Sequence, residues 1–174
     1  IKAFNHGFLY GSEETEKVKH TNEQVIFYVM KGFGRVEAGG KSEDIKEGTG
    51  VFIPAGIEYR LITTCGMAIE VIVIAEEVPD GFTPKEDMVV ESYYDPAPGY
   101  GGGYTTHGLF GSNDGLAEPM EIFVVTMENF GIGVPHYHIE GCEEIWLKLK
   151  GEVNLLLLGK RLLRQNIGEA FLAP

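Results

Sequence analysis

Short runs of β-branched and aromatic residues recur along the chain: Val25-Ile26-Phe27-Tyr28-Val29, Gly50-Val51-Phe52-Ile53, Ile69-Glu70-Val71-Ile72-Val73-Ile74 and Glu121-Ile122-Phe123-Val124-Val125. Glycines punctuate the gaps between them. Close strand spacing with glycine turns predicts an all-β sandwich or barrel. Gly39-Gly40 before Lys41 and Gly159 before Lys160 stand where tight hairpin turns are expected. No window sustains an apolar period of 3.6 residues, so any helix is short. The best helix candidate is the stretch 12–19, whose Glu and Lys residues make it a solvated face rather than core.

The stretch Pro96-Ala97-Pro98-Gly99-Tyr100-Gly101-Gly102-Gly103-Tyr104 is linker chemistry near the middle of the chain. The two flanking halves look related. At an offset of 119, Ile26 meets Ile145, Phe27 meets Trp146, Lys31-Gly32 meets Lys150-Gly151 and Gly40-Lys41 meets Gly159-Lys160. At an offset of 120, Gly48 meets Gly168 and Pro54 meets Pro174. The shared positions are the turn glycines and a proline, the residues that set backbone geometry. A duplicated β-domain follows, with residues 1–90 as the first copy, 91–105 as linker and 106–174 as a second copy cut short.

Lys and Arg number 14 against 26 Asp and Glu, a net charge of −12. A surface that acidic repels phosphate, which argues against nucleic acid and anionic membranes as partners. A hydrophobic share of 44% with 23% charged residues is globular composition and excludes disorder. Apolar runs such as Val71 to Ala75 are far too short to span a bilayer. Cys65 and Cys142 have no Cys-x-x-Cys spacing and read as unpaired thiols, so a cytoplasmic location is the expectation. The chain opens at Ile1 and stops at Pro174 just after Ala170-Phe171-Leu172-Ala173, so residues are expected to be missing from both ends.

The chemistry concentrates in Pro135-His136-Tyr137-His138-Ile139-Glu140-Gly141-Cys142-Glu143-Glu144-Ile145-Trp146, followed by Gly151. Histidines at i and i+2 on a strand project to one face and can reach one metal ion. A carboxylate entering on the next strand completes a three-ligand face with open positions for water, substrate or dioxygen. Tyr137 then faces the other way and packs, and Cys142 reads as a turn thiol. His6 and His107 each precede a glycine and are read as starts of equivalent strands; His20 reads as a surface histidine.

This stretch resembles the first cupin motif, Gly-x5-His-x-His-x3–4-Glu-x6-Gly. His136, His138 and Gly151 match; Phe130 holds the leading glycine position, with Gly131 after it. The acid is either Glu143, which keeps the spacing from His138, or Glu144, which keeps the spacing to Gly151. Glu144 is favoured because strand register is rigid while a turn absorbs an extra residue. Against that, Glu143 shares its parity with Ile145, Leu147 and Leu149, and Glu144 with Trp146, Lys148 and Lys150. The second cupin motif, Gly-x5-Pro-x-Gly-x2-His, begins at Gly168 and reaches Pro174, so its histidine would lie beyond the sequence. The first half carries it as Gly48-x5-Pro54-Ala55-Gly56-Ile57-Glu58-Tyr59, with Tyr59 in the histidine's place. By the repeat, Val25 replaces Glu144, Lys19 replaces His138 and Lys17 replaces His136.

The resemblance implies two tandem double-stranded β-helix (jelly-roll, cupin) barrels, the first without metal ligands. It implies one divalent transition metal, Fe, Mn, Ni or Zn, on His136, His138 and Glu144. It also implies a metal-dependent enzyme for a small polar or carboxylate-bearing molecule; dioxygenase, decarboxylase, isomerase and lyase stay open. Lys148, on the parity of Glu144, would orient a substrate carboxylate, and Glu143 or Glu140 would serve as general base. The competing expectation is a binding or sensory protein without chemistry. A homodimer is expected in either case.

Overall fold

The computed structural model describes the chain apart from residues 65, 95–98, 102–103, 118–119, 129–130, 132–139, 153, 159 and 174. The strands of the first half are β1 (Ala3–Leu9), β2 (Val18–Lys19), β3 (Glu23–Lys31), β4 (Phe33–Ala38), β5 (Lys41–Lys46), β6 (Thr49–Ile53), β7 (Glu58–Thr63) and β8 (Ile69–Glu77). Then come β9 (Val89–Ser92), β10 (Gly99–Gly101), β11 (Tyr104–Phe110), β12 (Ile122–Met127), β13 (Glu144–Leu147), β14 (Asn154–Leu158), β15 (Arg161–Gln165) and β16 (Ala170–Ala173). One short 3-10 turn, Ser112–Asp114, is the helix among the described residues, and none there is long and apolar enough to cross a membrane. The all-β expectation holds. The chain divides into two compact units, Ile1–Gly133 and Val134–Pro174.

In the first unit, a five-stranded antiparallel sheet in the order β1-β8-β3-β6-β9 faces a four-stranded one in the order β2-β7-β4-β5. Alternate residues of both sheets meet in one core: Val25, Phe27 and Val29 of β3, Val51 and Ile53 of β6, Ile69 and Val71 of β8, against Val36 and Ala38 of β4, Ile45 of β5 and Leu61 of β7. Period-two burial from both sides is sandwich packing. The Gly39-Gly40 turn joins β4 to β5 with both residues at positive φ (57° and 82°), the two-residue hairpin geometry that glycine permits.

The β3 run is apolar on both parities because the larger sheet is covered on both faces. On the outer side Ile26, Phe52, Ile72 and Ile74 are buried together with Leu109, Phe110, Leu116 and Ala117. The Phe52 and Phe110 rings lie 6.0 Å apart. Gln24, also buried there, accepts from the Ala117 amide (2.9 Å) and donates to Glu76 Oε2 (3.0 Å). A buried amide must have such partners to be tolerated.

The helix expected over 12–19 is not formed. The segment is extended beside β7: Thr15 donates its amide to Leu61 O (2.9 Å), Thr63 donates to Glu13 O (2.9 Å), and Val18 pairs with Tyr59. Its charged residues are exposed because an edge strand shows one side to water, and Arg60 of β7 binds Glu14 at 2.8 Å. The edge of the sheet satisfied this backbone at less cost than an isolated helix of two turns.

In the second unit, β13 pairs antiparallel with β16, and β14 with β15. These ladders reproduce two of the first unit. Val25↔Ile53, Ile26↔Phe52, Phe27↔Val51 and Tyr28↔Gly50 of β3–β6 become Glu144↔Ala173, Ile145↔Leu172, Trp146↔Phe171 and Leu147↔Ala170. Every β3 residue is displaced by 119 and every β6 residue by 120. The β4–β5 hairpin, from Gly34↔Ile45 to Ala38↔Lys41, recurs at 120 as Asn154↔Gln165 to Leu158↔Arg161. Even the closing bond repeats: Gly48 N donates to Val29 O at 2.9 Å, and Gly168 N to Lys148 O at 2.9 Å. Gly159 of the second hairpin turn lies outside the described residues.

Candidate metal centre

β13 begins at Glu144, with Trp146 on the same strand face two residues later and Lys148 next in phase. Shared register with β3 identifies this face. Its counterparts Val25, Phe27 and Val29 point into the core of the first unit and are 2%, 4% and 0% exposed. Lys148 is likewise buried, at 5% exposed, and Glu144 and Trp146 are half-buried. The Trp146 indole N–H donates to Glu144 Oε2, and its ring stacks on Phe171 of β16 at 6.4 Å. Glu143 lies before the strand and is exposed; its counterpart by register is Gln24, on the other face of β3. Glu140 and Cys142 are exposed in the turn ahead of β13.

His136 and His138, with Tyr137 between them, lie outside the described residues. Among the described residues no three His, Cys, Asp or Glu side chains converge on a common point. The donor chemistry on β13 fits a divalent cation in kind: a half-buried carboxylate whose orientation is held by a neighbouring N–H donor.

The corresponding corner of the first unit is built differently. Tyr59 opens β7 beside Val18 and packs edge-on against Phe27, with ring centroids 5.4 Å apart. The His20 ring stands 6.1 Å from that of Tyr59, and its Nδ1 lies 3.6 Å from Glu23. Burial, and then the charge of Glu23, push the Tyr59 phenol above its ordinary pKa, so it stays protonated at neutral pH. Lys17 and Lys19 are exposed, Lys17 pairing with Glu58 at 3.2 Å. Val18 and His20, not Lys17 and Lys19, therefore stand beside Tyr59. His20 is also half-buried rather than a plain surface histidine.

His6, on β1, binds Glu70 Oε1 at 2.8 Å, and His107, on β11, meets the Tyr93 ring edge-on at 5.2 Å.

Residues 8–75 match the family model described as the cupin domain. This part of the chain is similar to cupin domains. The match covers β2 to β7 and nearly all of β8, and with them the whole four-stranded sheet, three strands of the five-stranded one and the Tyr59 corner. Solved structures agree on the cupin fold. A Pseudomonas aeruginosa protein, provisionally described as glyoxylate-induced, has a TM-score of 0.80 and 19% identity over 98% of this chain and 66% of its own. The E. coli protein Ylba has a TM-score of 0.58 and 13% identity over 97% of this chain and 66% of its own. Identities this low show the fold alone, an all-β jelly-roll of cupin type, and the chain spans just under two thirds of either protein. No curated protein sequence matches the chain.

Proposed function

We propose that the chain is a bicupin whose second unit holds one divalent transition metal on His136, His138 and Glu144 and acts on a small polar or carboxylate-bearing molecule. The observation that carries this reading is the repeated register of β3–β6 in β13–β16. It supports a second cupin frame, and it favours Glu144 over Glu143, since Glu144 falls on the phase that Val25 occupies inside the first core. A metal bound there supplies Lewis-acid or dioxygen-binding chemistry, depending on whether it is redox-active.

The chain's own residues supply the rest. Trp146 holds the Glu144 carboxylate in one orientation through its N–H. Lys148, buried on the same face, places an ammonium where a substrate carboxylate needs a counter-charge and an orienting donor. Glu143, exposed at the entrance to β13, takes the general-base role from the solvent side, where it can exchange its proton with water. The acidic surface disfavours polyanions and suits a small molecule that is drawn in by a local cation.

A second reading, a ligand-binding cupin without chemistry, is supported by the first unit, which keeps the strand frame with Val25 and Tyr59 where the resemblance puts ligands. Metal content separates the two. Protein purified without a chelating affinity step should contain about one transition metal per chain, and a His136→Ala/His138→Ala variant should contain none. No metal in either sample, with no uptake on titration, would overturn the metal site.

A further inference from the structure

The first unit contains a cavity that the metal reading leaves unused. It lies between the two sheets, has a volume of about 230 Å³, is open on one side, and is walled by Leu9, Val18, Phe27, Tyr59, Leu61 and Val71 among others. No charged residue lines it; Thr15 and Tyr59 carry its polar side-chain atoms. Dry apolar cavities of roughly 150 Å³ hold a benzene-sized molecule, whereas drug-sized ligands need roughly 300 Å³ or more. The hollow is therefore sized for one small ring.

Its origin is in the sequence. Gly7 of β1 pairs with Val71 of β8 and contributes no side chain to this wall. Its backbone is ordinary strand, outside the positive-φ glycines, and a methyl group there would rest at 3.6 Å from Val71 Cγ2, normal contact. Neither backbone conformation nor crowding requires glycine at this position. Glycine costs a strand stability relative to a residue with a side chain, so the missing side chain has the effect of keeping space open. Tyr59, fixed edge-on by Phe27, supplies a protonated phenol as the polar handle.

We propose that this cavity is a binding site for a small neutral ring compound bearing one hydroxyl group, packed on Val18, Phe27 and Val71 and hydrogen-bonded to the Tyr59 hydroxyl. The site needs no metal and is independent of the second unit. The test titrates p-cresol and toluene into the full chain, followed by methyl NMR shifts and by the shift in melting temperature. Saturable p-cresol binding is expected, with a dissociation constant below about 1 mM and the largest shifts at the methyls of Leu9, Val18, Leu61, Ile69, Val71 and Val73. Gly7→Leu should fill the space, keep or raise the melting temperature, and weaken p-cresol at least about tenfold. Val18→Phe provides the same obstruction from the opposite wall. Tyr59→Phe should weaken p-cresol and leave toluene unchanged, and His136→Ala/His138→Ala should change neither. Shifts that do not saturate, or p-cresol binding that survives both filling variants in folded protein, would overturn the proposal.

Discussion

The β3–β6 ladder of the first unit and the β13–β16 ladder of the second have the same four-pair register, yet opposite chemistry on one face. Val25, Phe27 and Val29 close a dry core; Glu144, Trp146 and Lys148 occupy the same phase with a carboxylate, an indole N–H and an ammonium. Backbone pairing and turn glycines are shared, and the side chains on the inward phase are not. Register is thus what the two ladders share, and the chemistry of the inward face is set by every second residue of one strand. In the first unit that strand became part of an apolar cavity wall; in the second it keeps groups suited to a cation and an anionic substrate.

Exchanging the inward residues should break the comparison most severely. Val25→Glu puts a carboxylate into the buried core with no cationic partner among Phe27, Val51 and Ile53 around it, and should cost about 3–5 kcal/mol in chemical denaturation. The reverse change, Glu144→Val, should cost less than about 1.5 kcal/mol, because it replaces a half-buried polar group. Equal costs would mean that the two faces are not different environments.

The paired glycines give a smaller contrast. Gly32 and Gly151 both hold positive φ, 94° and 86°. A methyl group on Gly32 would overlap the Ala68 carbonyl oxygen, whereas one on Gly151 would meet nothing closer than Lys148 Nζ at 4.0 Å. Gly151→Ala should therefore lose only the backbone strain, about 1–2 kcal/mol, and Gly32→Ala distinctly more. Thermal unfolding of the two variants side by side reads the difference.

The smallest effect concerns Tyr28, whose counterpart by register is Leu147. Burial, reinforced by Tyr94, Tyr93 and Glu47, pushes the Tyr28 phenol up to about 12. The folded state then holds a proton that the unfolded chain releases near pH 10, so stability is intact below that pH and falls as pH rises towards 12. Tyr28→Phe should flatten that alkaline fall in melting temperature without altering the value at pH 7.

Much of this was legible in the sequence. β3, β6, β8 and β12 appear as β-branched runs and the Gly39-Gly40 turn as a hairpin. Three features were not. The two-sided burial of β3 depends on Leu109, Phe110, Leu116 and Ala117, which form no periodic pattern and are remote in sequence. The segment 12–19 has the composition of a surface helix, but its backbone is held by β7, a tertiary bond that local propensity cannot register. The cavity depends on an absence, at Gly7, that looks like any other glycine until its φ and its neighbours are known.

On the proposed function Glu144, on the inward phase of β13, is the carboxylate that completes the metal site, and Glu143 is not. The direct measurement is metal affinity, by competition with a chelator of known strength, for the full chain and for Glu144→Gln and Glu143→Gln. Loss of a ligand should weaken the metal in Glu144→Gln by at least about 100-fold, while Glu143→Gln should stay within about threefold of the parent. The reverse order, or equal losses in both variants, would contradict the register on which this account rests.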